Sequence, residues 1–295
     1  MNGAFARSHP AVNFVFFISA AVLAMLFNHP LFLGISLVSS LAYAIRLKGK
    51  TAVKSFFFFL LPLLIFVTAI NILTAHYGVT TLYTFKSGNN LTLESVAYGA
   101  VTGVLVVIMI LWFMCYNEVV TEDKFMHVFG KRMPHLSLLI LMVLRFVPMY
   151  INQFKETIEA RKGAGLSAGK NGLGRIKEIC QAVSGVVTWA LEHSLETADS
   201  MKSRGYGLKG RTSYSRFIMA PSDKIIIILM LVAVAVTAAG KLTGAADALY
   251  NPIIEISGFS PMLAISAVFY TLFCFTPIIF DAEEAIRWNR LHAKT

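Results

Sequence analysis

Apolar residues in this chain fall in long blocks rather than in the three- to four-residue rhythm of a surface helix or the alternation of a half-buried strand. Six blocks reach the roughly 17 to 25 residues that a membrane crossing needs: residues 11–27, 31–47, 53–73, 96–116, 224–242 and 262–280. Each predicts a helix. The Asn28-His29-Pro30 step predicts a tight turn between the first two, and the polar, glycine-containing stretch 74–95 predicts a loop. Pro62 and Pro277 lie inside blocks, which membrane helices tolerate where neighbours satisfy the freed carbonyls. A seventh apolar run, 135–151, carries Arg145 and Pro148.

The stretch from Tyr150 to Ser222 breaks this pattern. Ile151, Phe154 and Ile158, and then Val183, Val186, Val187, Ala190, Leu191, Leu195 and Ala198, recur at helical spacing with charges between them. Two amphipathic helices are predicted, at 148–162 and 175–203, joined by a glycine-rich segment, 163–174. Their ends echo each other: Ala160-Arg161-Lys162-Gly163 closes the first and Ser203-Arg204-Gly205 the second. Glycine caps a helix end without steric cost, and a cation there meets the negative end of the dipole. Either arginine alone reads as a favourable terminal charge. Two such ends in one basic segment between apolar blocks read as a pair of docking points.

Composition agrees with the blocks. The 295 residues are 56% hydrophobic and 14% charged, against about 25% charged in soluble domains, and the mean hydropathy is +0.67. In a soluble protein the formal charge of +10 would suggest nucleic acid; in a membrane protein it marks the cytoplasmic face. If the 135–151 run does not cross and both termini are inside, the outer loops hold only Lys86 and Lys241 of the 26 basic residues. If it crosses, the 11 basic residues from Lys155 to Arg216 fall outside, against the positive-inside bias. The run is therefore expected to dip into or lie along the inner interface, with Arg145 snorkelling or paired. The three cysteines form no framework or metal motif. The first block is too long for a signal sequence, and Asn28-His29-Pro30 is no cleavage site, so it is expected to be retained.

Most chemical motifs fail. Residues 165–171 lack the spacing and the Ser or Thr of a phosphate loop, and Gly205-Tyr206-Gly207-Leu208-Lys209-Gly210 matches GxGxxG but follows a helix rather than a strand. The histidines show no ligand spacing, and His193, near Glu192 and Glu196, reads as a solvated helix-face residue.

The order of features resembles the transmembrane T component of energy-coupling factor (ECF) transporters, the EcfT/CbiQ family. The residues that carry the likeness are His9-Pro10 before the first span, Asn71 at the end of the third, Leu144-Arg145-Phe146-Val147-Pro148, and Ser203-Arg204-Gly205-Tyr206-Gly207. Ala160-Arg161-Lys162 corresponds to the first coupling motif, usually Ala-Arg-Gly, with lysine for that glycine; Ser203 replaces the second motif's alanine. The resemblance is dense from about 117 to 216. It implies an all-α, polytopic membrane scaffold of about six spans and two long cytoplasmic coupling helices. It implies three regions: 1–134 with about four spans, the coupling region 135–222, and 223–295 with two spans and a tail. It implies a non-catalytic subunit without a cofactor of its own, in a bacterial or archaeal cell membrane with both termini cytoplasmic. Two ATPase subunits, which bind the ATP, would dock at Ala160, Arg161, Lys162, Ser203, Arg204 and Gly205, with support from Arg145 and Pro148. A separate substrate-binding S component would sit in the membrane for vitamin or metal uptake, and no nucleic acid is involved. Arginine's rigid fork suits carboxylates and helix-end carbonyls in a partner's groove.

Two other classes stand beside this. An autonomous carrier or channel calls for ionisable or polar residues inside its spans; the spans offer mainly Asn13, Thr68, Asn71 and Thr102. A membrane-bound enzyme calls for a convergent cluster, for which Glu118, Glu122, Asp123 and His127 are the best group, at spacing that fits a linker helix.

Overall fold

A computed structural model describes residues 3–74, 80–84, 90–130, 133–166, 172–208, 217–250 and 253–292. Its helices are α1 (Ala4–Arg7), α2 (Pro10–Leu26), α3 (Pro30–Lys48), α4 (Lys50–Ser55), α5 (Leu61–Thr74), α6 (Leu93–Val119), α7 (Glu122–Gly130), α8 (Pro134–Gly163), α9 (Gly172–Ser203), α10 (Pro221–Leu242) and α11 (Pro261–His292). A π-helical turn, Phe56–Leu60, runs α4 into α5. Two antiparallel hairpins complete the described residues: β1 (Thr81–Thr84) with β2 (Asn90–Thr92), and β3 (Ala248–Leu249) with β4 (Glu255–Ile256). The chain is an all-α, multi-pass membrane protein. It divides into two compact units, residues 1–125 with 217–295 and residues 126–216.

Six described helices are long and apolar enough to cross a bilayer, and five follow the expected blocks. The first block forms α2, whose 17 residues span about 25 Å at 1.5 Å per residue, a little under the hydrocarbon thickness. The sixth long helix is instead α8, counted from Leu138. Its apolar half and its charged half are one continuous 30-residue helix with Pro148 inside, where two separate elements were expected. The expected 74–95 loop holds the β1–β2 hairpin and the first turn of α6.

Several helices open on proline, where the missing N–H costs nothing. At α2 and α3 the preceding histidine caps the next amide: Ala11 N–H donates to His9 Nδ1 at 3.2 Å and Leu31 N–H to His29 Nδ1 at 3.3 Å.

The bundle unit packs an aromatic core on α2, α3, α6 and α11. Phe16 lies 5.3 Å from Phe5, 5.4 Å from Trp112 and 5.1 Å from Phe273, centroid to centroid. Since lipid tails are as apolar as the side chains, such contacts hold by dispersion and close fit. Small residues let helices approach. A Cβ on Gly99 or Gly103 of α6 would come within 3.1 Å of the Thr68 or Leu64 carbonyl oxygen of α5, and one on Gly240 of α10 within 2.8 Å of Ser266 on α11.

More polar groups are buried in the spans than the sequence reading named: Ser36, Ser39, Ser40, Thr237 and Ser266 as well as Asn13. Most bond a carbonyl one turn back, as Ser266 Oγ does to Leu263 O at 2.9 Å; Ser36 Oγ accepts from Trp112 Nε1 at 3.2 Å. Most are thus satisfied within their own helix, while the Ser36–Trp112 bond joins α3 to α6.

The N-terminal segment is pinned by charge. Phe5 N–H donates to Asp281 Oδ1 at 3.1 Å, and Arg46 Nε lies 3.6 Å from the same carboxylate. Arg7 pairs with Glu284 at 3.2 Å. Lys124 is buried and donates to the Ala6 and Val119 carbonyls. With its amide oriented to match, Asn13 accepts from Lys124 at 2.8 Å and donates to Phe5 O at 2.9 Å.

Candidate functional site

Helices α8 and α9 form an antiparallel hairpin whose contacts can be followed along its length. At the loop end Arg161 donates from its guanidinium to Gln181 Oε1. Next, Thr157 faces Gly185, with Thr157 Cγ2 at an ordinary contact distance of 3.9 Å from where a Cβ would stand. Tyr150 then meets Trp189 at 5.9 Å, and His193 packs between Trp189 at 5.2 Å and Phe146 at 5.8 Å. His193 is thus half-buried in an aromatic joint with Thr197 bonded to it, not the solvated residue expected. One turn of α8 and one of α9 carry an aromatic or imidazole ring at i and i+4, a pairing visible in the sequence once the helices are known to be antiparallel.

Beyond this joint lies a groove of about 500 Å³ whose walls include Met142, Arg145, Met149, Glu196, Met201 and Arg204. Arg145 therefore faces the same groove as Arg204. Pro148 lies within α8 one turn from Arg145.

Both ends close in the same way, three residues out of step. At the α9 end Gly205 takes φ +78°, Gly205 N–H bonds Lys202 O at 3.0 Å and Tyr206 N–H bonds Met201 O at 3.0 Å. At the α8 end the left-handed residue is Gly165, φ +74°, with Gly165 N–H to Lys162 O at 3.1 Å and Leu166 N–H to Arg161 O at 3.0 Å. These are paired 6→1 and 5→2 bonds to the last carbonyls. The expected cap, Gly163, is still helical. Arg204 consequently sits at the cap itself and is exposed, as is Ser203, whereas Arg161 lies within the last turn and is half-buried against α9. Helical side chains lean toward the N-terminus, so Arg161 reaches back along the hairpin rather than past its end. Ala160 and Lys162 beside it are exposed. Gln181 and Gly165 carried no signal in the sequence, since their roles depend on which turn faces which. Most of the phosphate-loop-like stretch 165–171, and Lys209 and Gly210 of the GxGxxG match, lie outside the described residues.

From Gln181, which Arg161 touches, to Arg204 the α9 axis runs about 35 Å at 1.5 Å per residue. Arg161 thus lies about 35 Å along α9 from Arg204. Along the rest of α9, Ile176, Ile179, Val183, Val187, Leu191 and Leu195 make an apolar stripe exposed by 42 to 69%. Of the alternative cluster, Glu118 lies in the last turn of α6 and pairs with Lys48 at 3.4 Å, while Glu122 and Asp123 open α7 and His127 lies in its last turn.

A family model described as cobalt transport protein, CbiQ, matches residues 3–214, which takes in both arginine motifs. The energy-coupling factor transporter transmembrane protein EcfT of Bacillus selenitireducens is 26% identical over 111 residues, 37% of this chain and 41% of that protein. Its namesake from Leuconostoc gelidum subsp. gasicomitatum is 29% identical over 98 residues, 32% of this chain and 37% of that protein. The matched part thus spans about two fifths of the length of these curated relatives.

Proposed function

The chain belongs to the CbiQ family of cobalt transport proteins, and from that premise we propose that it is the energy-transducing membrane scaffold of an ECF-type importer. Two cytoplasmic ATPases dock on it, one at Ala160, Arg161 and Lys162 and the other at Ser203, Arg204 and Gly205. The observation that carries this reading is the placement of two arginine-bearing helix ends about 35 Å apart on one rigid hairpin. Closure of the ATPases on ATP would pull on both ends together and move the hairpin as a lever. The exposed stripe on α9 is the surface on which a membrane-embedded S component rests, so that hairpin movement tilts it. The S component selects the cargo, a vitamin or a metal ion. The hairpin and both termini face the cytoplasm, with Arg145 at the inner interface; cysteine labels at Ser167 and Ser213, added outside intact cells, should give no signal, and labelling equal to that at Ser87 overturns this topology.

The test is the double variant Arg161→Ala/Arg204→Ala. Removing one member of a desolvated charged contact typically costs about 2–5 kcal/mol. Two contacts on one scaffold reinforce each other through effective concentration, so losing both costs far more than losing either. The double variant should release both ATPases, keep the S component and abolish uptake. Full uptake with the ATPases still bound would sink the assignment.

A further inference from the structure

The connection between α10 and α11 is built like a structural element and exposes the wrong residues for an aqueous loop. Its inner side is ordered against the bundle. Ala246, Ala248 and Tyr250 are buried, Tyr250 Oη donates to Asn28 O at 3.1 Å, Ser257 N–H bonds Asp247 O at 3.0 Å and Ser257 Oγ bonds Ala245 O at 2.7 Å. Its outer side shows Leu242 87% exposed, Phe259 84%, Leu249 59% and Ile256 46%. Two of its charges cancel, Lys241 lying 2.6 Å from Asp247, and Glu255 remains exposed.

We propose that this β3–β4 connection is a membrane-interface anchor whose outer apolar side lies in the boundary between lipid headgroups and acyl chains. The occupant follows from continuity. Leu242 is the last residue of α10 and Phe259 stands just before Pro261, the first of α11, so the patch begins and ends on two membrane helices at the level where they leave the hydrocarbon. It runs on into exposed apolar residues at the start of α11, Ile265 and Val268. Backbone outside a helix is excluded from the hydrocarbon core unless paired or covered. The headgroup boundary accepts such a segment, burying its apolar side chains while Glu255 and the Lys241–Asp247 pair stay hydrated.

The experiment places single nitroxides at Phe259→Cys and Leu249→Cys in the full chain carrying Cys180→Ser, since Cys115 and Cys274 are buried. The protein is reconstituted in vesicles of phosphatidylcholine and phosphatidylglycerol, and collisions with oxygen and with a water-soluble nickel chelate are compared. At both sites oxygen collisions should be several-fold more frequent than nickel collisions. Nickel in excess would place the patch in water, and suppression of both reagents would place it against protein; either overturns the proposal. A second reading uses Phe259→Trp, whose added emission should be quenched by brominated phosphatidylcholine, and unchanged emission likewise overturns it.

Discussion

The bundle unit and the hairpin unit are both helical, yet they are built on opposite plans. The bundle buries Phe16, Tyr43, Ile108, Leu111, Tyr270 and Phe273 almost completely and ties its N-terminus to Asp281 and Lys124. Among the described residues of the hairpin unit only Met126 and Ala182 are buried, although α8 and α9 are each at least 30 residues long. A helix pair with so little core holds its shape through its own backbone, an aromatic joint and its caps, and leaves its apolar side chains for something else to cover. In the bundle, then, apolar residues stabilise the chain itself; in the hairpin they are surface.

The largest test of this contrast deletes the same side chain in each unit. Leu111→Ala should lower stability by about 2–5 kcal/mol, as for a fully packed leucine, while Leu191→Ala, an exposed site, should stay within about 0.5 kcal/mol. Thermal unfolding in detergent reads both, and a comparable loss for Leu191→Ala would mean that the hairpin has a core of its own. A similar or slightly smaller effect is expected for Gly103→Val. The added atoms meet a carbonyl oxygen on α5, and such overpacking costs about 1–3 kcal/mol. It should separate α5 from α6, seen as protease or label access at Thr68, whereas Gly185→Val on the hairpin should be tolerated.

Next come the two arginines taken singly. Arg204 is exposed at its cap while Arg161 is held by Gln181, so Arg204→Ala should weaken ATPase pull-down more than Arg161→Ala. Gln181→Ala should shift Arg161 toward the partner without loss of assembly. A larger defect for Arg161→Ala would show that Gln181 presents this arginine rather than sequesters it.

The smallest effect is one of pH. Burial pushes the Lys124 ammonium down to about 8 from 10.5. Between those values the unfolded chain holds the extra proton, so stability from this site is complete above 10.5 and is lost as pH falls to about 8. The Tm of the parent relative to Lys124→Met should therefore rise with pH across this window, and a flat difference would show the lysine to be fully charged and compensated where it lies.

The apolar blocks and the two amphipathic segments were legible from residue pattern alone, because length and periodicity are local properties. So were the arginine-bearing ends, within a turn. Helix continuity through Pro148 was not, since a proline stops or merely bends a helix according to what satisfies the freed carbonyl. Nor was the choice of Gly165 over Gly163 as the cap, because both are glycines and either offers the left-handed conformation. Gly99 and Gly103 were unremarked within an apolar block, where nothing local shows that a neighbouring helix passes at backbone distance.

By itself, then, the sequence determined that this is a membrane protein with a basic, amphipathic insert, since hydrophobic length and charge position are sums over neighbours along the chain. Only the tertiary structure decided that Arg161 turns inward while Arg204 is presented, that His193 is part of a joint, and that Asp281 and Lys124 pin the N-terminus. Each of these depends on residues far apart in sequence meeting across a helix pair, and no local pattern encodes which faces meet.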